Sequence, residues 1–185
     1  MKALVVGGDS QVGKKLAAYL HAPFTSRRTG AKLSYDLEFS LPNALPKADV
    51  IYLVASMTKF RDCEMNPDAY RINVDAQVAI AAHFKEAHIV YISSEAAQWP
   101  NQTAYGSQKR ACEISLLAAC GYDRLCVVRP TKIIPETIGS LCTYLVHLGD
   151  NRSCGVYRWS KEPISDMRLA YSAEEFSKSI HGRRA

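Results

Sequence analysis

A tyrosine and a lysine four residues apart are the side chains of this sequence best suited to acid–base chemistry. In the segment Tyr105-Gly106-Ser107-Gln108-Lys109, the two side chains share one face if the segment is helical. An ammonium group held near a phenol favours the phenolate, whose unperturbed pKa is about 10. The pair could therefore exchange a proton near neutral pH. The same spacing also arises by chance on exposed helices, so the surrounding pattern must decide.

A hydroxyl group that could join this pair precedes it along the chain. Ser94 ends the apolar run 88–94, which predicts a buried strand. A serine there can hydrogen-bond the same phenolic oxygen and so help to hold its proton or its charge.

The chain begins with the pattern of a dinucleotide phosphate loop. Residues 2–6 predict a buried strand, residues 7–13 a glycine turn, and residues 14–20 a helix. In such a loop the pyrophosphate lies at the helix N-terminus, where free N–H groups favour anions. An ordinary strand-to-helix turn is the alternative. The predicted cofactor contacts of the loop are Gly7, Asp9, Ser10, Gln11, Val12 and Gly13.

Two arginines indicate which dinucleotide would bind. Residues 23–28 predict a second strand that ends in Arg27 and Arg28, and no Asp or Glu lies between Ser10 and Tyr35. At this place an acidic residue binds the ribose hydroxyls of NAD, whereas an arginine accommodates the 2′-phosphate of NADP. NADP is therefore expected rather than NAD. A solvated basic loop is the alternative, because charge runs usually face water.

The remaining pattern predicts an α/β fold. Further strands are expected at 33–37, 49–55, 88–94 and 125–128, with helices at 67–86 and 103–120. The continuous apolar runs suit a parallel sheet that is covered on both faces. We therefore expect one domain over residues 1–185, a doubly wound parallel sheet with ligands at the carboxyl ends of its strands.

Composition excludes several other classes of protein. The 185 residues, 48% hydrophobic and 22% charged with a net charge of +5, are typical of one globular domain. No basic run with interleaved aromatic residues predicts nucleic-acid binding, and no apolar stretch approaches the ~20 residues of a membrane span. The apolar start is too short for a signal peptide, so a cytoplasmic location is expected.

Cysteine and histidine spacing gives no sign of a metal site. The six cysteines form no C-x-x-C pair and the five histidines no H-E-x-x-H cluster. We expect reduced thiols that pack as small hydrophobic side chains.

Together these motifs resemble the extended short-chain dehydrogenase/reductase family, also called the NAD-dependent epimerase/dehydratase family. The similarity covers about residues 1–135 and is carried by the glycine loop, Ser93-Ser94, Tyr105-x-x-x-Lys109 and Arg129-Pro130. The run from Cys63 to Ala76 is similar to the dTDP-4-dehydrorhamnose reductase branch in particular. The resemblance implies a Rossmann-type NAD(P)-binding fold.

The resemblance also implies roles for individual residues. Tyr105 would be the acid/base, Lys109 would bind the nicotinamide ribose and lower the tyrosine pKa, and Ser94 would orient the substrate oxygen. Asn73 has the position of a residue that steadies the central sheet. The other implied cofactor contacts are Asp36 and Leu37 at the adenine, Ala55 in the cleft, and Pro130 and Thr131 near the nicotinamide.

The chain departs from the family pattern in two places. Ser10 stands where the loop usually has a second glycine, and its side chain could crowd the pyrophosphate or hydrogen-bond it. Family members commonly run further, with C-terminal insertions that hold a nucleotide-sugar. Residues of about 136–185 resemble a shortened substrate-binding region, including the Gly149-Asp150 turn, Gly155 to Trp159 and Glu162-Pro163-Ile164-Ser165. The substrate site is expected to be small, open or completed by a partner.

Three functions are compatible with this pattern. The first is an NADP(H)-dependent oxidoreductase acting at a carbonyl or hydroxyl carbon, with a sugar or nucleotide-sugar among the possible substrates. The second is a nucleotide-sugar epimerase or dehydratase that oxidises and re-reduces one sugar carbon with bound cofactor. The third is a non-catalytic NADP(H)-binding sensor or partner module. The shortened C-terminal region favours this third function, whereas the intact Ser94, Tyr105 and Lys109 argue against it.

The resemblance also leads to a prediction about assembly. Helices 67–86 and 103–120 should pair with their copies in a homodimer, because both carry apolar residues beyond one core stripe, including Ala81, Ala82, Leu117 and Ala118. The alternative is that the doubly wound sheet buries these residues by itself. Sedimentation at micromolar concentration should give twice the mass of one chain, and a monomer there would rule the dimer out.

Overall fold

Five parallel strands form a single sheet at the centre of the protein. The computed structural model describes residues 1–28, 33–38, 40 and 42–160. The strands follow one another across the sheet in chain order, and all neighbouring pairs are parallel: β1 Ala3–Val6, β2 Val50–Leu53, β3 His88–Ile92, β4 Leu125–Pro130 and β5 Gly155–Trp159. Their side chains are almost all buried, as the continuous apolar runs predict.

Helices cover both faces of the sheet. The described residues form α1 Gln11–Leu20, α2 Phe60–Met65, α3 Ala76–His83, α4 Ala104–Cys120 and α5 Ile138–Asp150. Helices α1 and α5 pack together on one face, and α3 and α4 pack together on the other. The predicted doubly wound α/β fold is confirmed.

Alternation along each strand divides the core into two layers. In β2, Ile51 and Leu53 face the layer of α3 and α4, whereas Val50 and Tyr52 face the layer of α1 and α5. The same alternation recurs in every strand, because successive side chains point to opposite faces. Each layer also contains fully buried helix residues, such as Leu116 of α4 in one and Leu141 of α5 in the other.

The chain changes direction across the sheet at β1. The segment after α1 returns beside β1, where Phe24 forms a parallel bridge with Val5. The chain then crosses to the other side of β1 to form β2. This is a topological switch point, and ligands of open α/β sheets bind at the carboxyl ends of the strands there.

Some predicted elements differ in extent from those observed. The strands predicted at 23–28 and 33–37 are reduced to isolated bridges at Phe24 and between Ser26 and Ser34. Helix 67–86 is interrupted by a π-helical turn over Arg71–Asp75, and α2 was not predicted. Short segments at a sheet edge and single π-turns depend on tertiary contacts, which local propensity does not describe.

The region expected to bind substrate contributes to the sheet where it is described. Helix α5 and strand β5 follow β4 by a parallel crossover, and β5 is the last strand of the sheet among the described residues. The Glu162-Pro163-Ile164-Ser165 segment, with the rest of 161–185, lies outside the described residues. A substrate-binding role for about 136–185 stays a prediction.

Two further observations concern the cysteines and the helices. All six cysteines lie in the described part of the chain as free thiols, and five of them are buried. None of the helices in the described ranges is both long enough and apolar enough to cross a membrane.

Candidate active site

Tyr105 lies in the first turn of α4, beside the end of β3. Thr103 begins this helix as its N-cap, and its Oγ1 accepts a hydrogen bond from the N–H of Gly106 at 3.0 Å. Ser94 lies two residues beyond β3 with its hydroxyl near the Tyr105 phenol, where a hydrogen bond between the two would lower the pKa of the phenol. The structure thus brings together the serine and tyrosine that the sequence analysis singled out.

The environment raises the pKa of Tyr105 above its usual value. Burial of the phenol is the main cause, and the hydrogen bond with Ser94 opposes it only in part. The direction is opposite to the one that the resemblance implies, because the phenol lies partly inside the protein beside the ring of Phe60, with ring centroids 5.6 Å apart. The Tyr105 phenol is therefore held in its protonated form at neutral pH.

Lys109 is buried one turn further along α4. Its Nζ donates a hydrogen bond to the carbonyl oxygen of Ile92 at 2.9 Å. The same nitrogen lies 4.9 Å from the ring centroid of Tyr91 and 5.7 Å from that of Tyr105. Burial lowers the pKa of Lys109 to about 8. The lysine accordingly lies with Tyr105 on the helix face that meets β3.

A shallow cleft adjoins this group at the carboxyl ends of β3 and β4. Its volume is about 390 Å³. The cleft combines hydroxyl groups, two aromatic rings, one lysine and one carboxylate, and its lining includes Ser94, Thr131, Thr103, Phe60, Trp99, Lys132 and Glu95, the last paired with Arg158. Such a mixture of aromatic side chains with a few polar groups is typical of small-molecule sites.

Asn73 connects the loop after β2 to α4. Its amide nitrogen donates to the carbonyl oxygen of Met57 at 3.0 Å and to Oε1 of Gln108 at 2.7 Å, and its Oδ1 accepts from the N–H of Met57 at 2.7 Å. Asn73 lies in the π-helical turn, a distortion that is frequent at functional sites. It stabilises the helix that carries Tyr105 against the strand ends.

A buried ion pair also holds α4 against the sheet, on the same helix face as Lys109. Glu113 is fully buried and accepts hydrogen bonds from Arg129 of β4, Nε to Oε1 at 2.9 Å and Nη2 to Oε2 at 2.6 Å. The hydroxyl of Ser93 also donates to Oε1. These contacts join α4, β3 and β4 immediately behind Ser94.

The glycine loop after β1 is closely packed. Gly7 has φ +106°, and a Cβ there would lie 2.6 Å from Cα of Ala55 at the end of β2. A Cβ on Gly13 would lie 2.1 Å from the carbonyl oxygen of Gly7. Only glycine allows the loop, α1 and β2 to approach in this way.

Ser10 caps α1 and does not extend over the loop. Its Oγ accepts from the N–H of Gly13 at 2.9 Å and donates to the carbonyl oxygen of Gly7 at 3.0 Å. The N–H groups of Gln11 and Val12 begin α1 and have no partner within the helix. This cradle of closely packed glycines at a helix N-terminus fits a pyrophosphate group.

Asp9 and the two arginines meet beside this loop. The Asp9 carboxylate accepts from the hydroxyl of Ser26 at 2.8 Å and from the N–H of Arg27 at 3.1 Å. Nε of Arg28 lies 3.6 Å from Oδ1 of Asp9. Burial alone would raise the pKa of Asp9, but the bonds from Ser26 and Arg27 and the arginine charges outweigh it, so that the pKa is lowered.

The remaining predicted contacts border the same edge of the sheet. Ala55 adjoins Gly7, and Pro130 ends β4, where the N–H of Thr131 donates to the carbonyl oxygen of Trp159 at 2.9 Å. Asp36 and Leu37 lie in a turn further out, in which Oδ1 of Asp36 accepts from the N–H of Glu38 at 2.9 Å. Contacts of these residues with a cofactor stay a prediction.

Three residues of this edge were not identified from the sequence. Glu113 is four residues after Lys109, a spacing that places both on one face of α4 and could have indicated it. Phe60 and Trp99 lie in short segments with no regular pattern. Their place in the cleft follows from the tertiary fold.

Solved structures with the same fold include reductases and epimerases. A dTDP-4-dehydrorhamnose reductase from Bacillus anthracis in complex with NADP matches with a TM-score of 0.73 and 18% identity, covering 98% of this chain and 82% of its own. The enzyme of the same name from Yersinia enterocolitica matches with a TM-score of 0.70 and 21% identity, covering 85% and 74%. UDP-N-acetylglucosamine 4-epimerase from Bacillus cereus matches with a TM-score of 0.67 and 14% identity, covering 86% and 77%.

These similarities extend over most of each chain and confirm the Rossmann-type fold. The first two structures carry the name of the branch that the Cys63 to Ala76 run resembles. No protein-family model and no curated protein sequence matches the chain.

The buried ion pair leads to a stability prediction. Glu113→Gln should lower the free energy of unfolding by about 3–5 kcal/mol, because it leaves Arg129 buried without its counter-charge. The double variant Glu113→Leu with Arg129→Met should be more stable than Glu113→Gln. Denaturant unfolding measures both, with exposed Glu86→Gln as the control. A Glu113→Gln protein as stable as the parent would contradict this assignment.

Proposed function

We propose that the protein is an NADP(H)-dependent oxidoreductase that reduces a carbonyl group or oxidises the corresponding alcohol. The observation that carries the proposal is the grouping of Ser94, Tyr105 and buried Lys109 at the end of β3, beside an open cleft that Ser94 lines. The phosphate cradle of Gly7 and Gly13 lies at the same edge of the sheet. When bound, the nicotinamide would supply or accept the hydride.

Proton transfer would be the task of Tyr105. In the direction of reduction, its O–H donates to the substrate oxygen as negative charge develops there, and the Ser94 hydroxyl donates to the same oxygen. Tyr105 is protonated at neutral pH, as any phenol with an ordinary or raised pKa is, and so it can act as the proton donor in reduction.

Lys109 would have two tasks, to place a positive charge near the phenol and to bind the ribose of the cofactor. Its pKa of about 8 keeps most of the amine protonated at pH 7. A cation at this place stabilises negative charge on the phenolic oxygen, and it can donate hydrogen bonds to a ribose hydroxyl. The bond to the carbonyl oxygen of Ile92 holds its side chain against β3.

Neighbouring structures support a sugar-linked substrate. Reductases of a dTDP-linked sugar and an epimerase of a UDP-linked sugar share this fold. A cleft of about 390 Å³ with two aromatic rings suits a sugar-sized group, and Lys132 could attract a phosphate. We therefore propose a sugar or nucleotide-sugar as the substrate class, with NADP rather than NAD as the cofactor.

An epimerase or dehydratase is the second candidate. The match to UDP-N-acetylglucosamine 4-epimerase favours it, because such an enzyme could use the same serine, tyrosine and lysine. The two candidates differ in cofactor balance: a reductase consumes NADPH, whereas an epimerase regenerates its cofactor in each turnover. Net NADPH oxidation therefore separates them.

We also retain the homodimer as a proposal. Ala82 and Ala118 are exposed and Leu117 is half-buried, which supports an outward apolar surface on α3 and α4. Ala81 is buried in the core of the chain itself. A homodimer would accordingly use fewer of the predicted residues.

Tyr105→Phe should abolish most turnover and leave cofactor binding intact. The substitution keeps the ring and removes the proton donor, a loss that typically costs about 10²–10⁴ in rate. NADPH oxidation, screened with small carbonyl compounds and nucleotide-sugars, measures turnover, and calorimetric titration measures binding. Lys109→Met should impair both.

Exposed Tyr19→Phe is the matched control, since it removes the same atom from a helix remote from the cleft. Parental turnover by Tyr105→Phe would overturn the catalytic assignment. Tight NADPH binding without any substrate would favour the non-catalytic sensor.

Cofactor preference gives a separate prediction. The protein should bind NADPH more tightly than NADH, because Arg27 and Arg28 offer charge-assisted hydrogen bonds to a 2′-phosphate. Arg27→Ala and Arg28→Ala should each reduce this preference. Lys85→Ala is the control, as it removes one exposed positive charge just before β3, at the opposite end of the sheet. Equal affinities for the two cofactors in the parent would refute the expectation.

A further inference from the structure

Asp9 places a negative charge between the glycine loop and the predicted 2′-phosphate contacts. Both of its carboxylate oxygens are used: Oδ1 accepts from Ser26 and lies 3.6 Å from Nε of Arg28, and Oδ2 accepts from the N–H of Arg27 at 3.1 Å. Asp9 itself belongs to the turn that follows β1. One carboxylate thus connects the phosphate cradle to the arginines.

The ion pair is exposed enough to exchange partners. The Arg28 side chain is 74% exposed and that of Asp9 is 31% exposed. A solvent-exposed pair of this kind contributes little stability, because water and salt screen it. Arg28 can therefore leave Asp9 for another anion without disturbing the core.

A 2′-phosphate approaching Arg27 and Arg28 would meet the Asp9 carboxylate as well. Two anions would then share the same arginines, and their repulsion would offset part of the attraction. A ribose without the phosphate brings no such charge. Asp9 should therefore weaken the binding of NADPH more than the binding of NADH.

We propose that Asp9 is a specificity-determining residue that restrains NADPH binding by holding Arg28 in an ion pair. This inference rests on the proposed function, since it assumes that the loop binds a nicotinamide dinucleotide. Arg27 and Arg28 favour NADPH, and Asp9 limits how strongly they do so. The ratio of the dissociation constants for NADH and NADPH is then smaller than the two arginines alone would give.

Asp9→Asn tests the proposal, because asparagine keeps the size of the side chain and an acceptor for Ser26 or the N–H of Arg27. The dissociation constant for NADPH should fall about twofold to fivefold, the range expected for one exposed charge pair. The constant for NADH should change less. Fluorescence or calorimetric titration measures both constants without requiring turnover.

Salt separates this effect from a change in loop structure. At ~1 M salt, where the screening length is about 3 Å, the gain in NADPH affinity should disappear. The gain should also shrink when Asp9→Asn is combined with Arg28→Ala, because the proposal acts through Arg28. A purely structural effect on the loop would persist in both cases.

Asp123→Asn is the control, since it removes one exposed negative charge just before β4, at the opposite end of the sheet. If Asp9→Asn folds poorly, Asp9→Ser carries the same expectation. Unchanged NADPH affinity, or an equal change for NADH and NADPH, would overturn the inference while the proposed function stands. A parent protein that binds neither cofactor would refute both.

Discussion

The buried carboxylate of Glu113 makes the contacts on which the arrangement of Ser94, Tyr105 and Lys109 in the candidate site depends. A charge that is fully removed from water must be paired and hydrogen-bonded, and here Arg129 and Ser93 supply those bonds. Glu113, Ser93 and Arg129 lie in or next to three different elements, and each of these elements also holds or leads to a residue of the candidate site. Helix α4 carries Tyr105, β3 leads to Ser94, and β4 leads to Thr131. The pairing of one charge thus sets the relative positions of Tyr105, Ser94 and Thr131, of which Ser94 and Thr131 line the cleft.

The cofactor half of the site depends on a different constraint. Gly7 and Gly13 bring backbone against backbone, and no buried charge is involved. The chain changes direction across the sheet at β1, and α1 begins at this switch point. The absence of side chains allows close backbone packing here, whereas polar side chains lie at the end of β3 and on α4. Asp9 is the exception, since it introduces a charge into the half that otherwise relies on backbone groups.

Local pattern was sufficient for β1 to β4, for α1 and α4 and for the residues at strand ends, but α2, α5 and β5 were not predicted. Continuous apolar runs identified β1, β2, β3 and β4, and helical spacing placed Tyr105 and Lys109 on one face. The contacts made over long sequence distance were not predictable in this way. The Asp9 pair with Arg28 and the Glu113 pair with Arg129 each join residues that only the fold brings together. The pKa of Tyr105 also followed burial, which spacing does not report.

Burial shifts the pKa values of Tyr105 and Lys109 in opposite directions. It raises the pKa of Tyr105 and lowers that of Lys109 to about 8, because it disfavours the charged form of each. The neutral phenol is then the stable form, and the ammonium is less stable than in water. Negative charge that develops on a substrate oxygen would be attracted to that ammonium and would draw the proton from the phenol. In the proposed reduction, such an arrangement would stabilise charge that appears on the substrate oxygen more than charge that is present before the reaction.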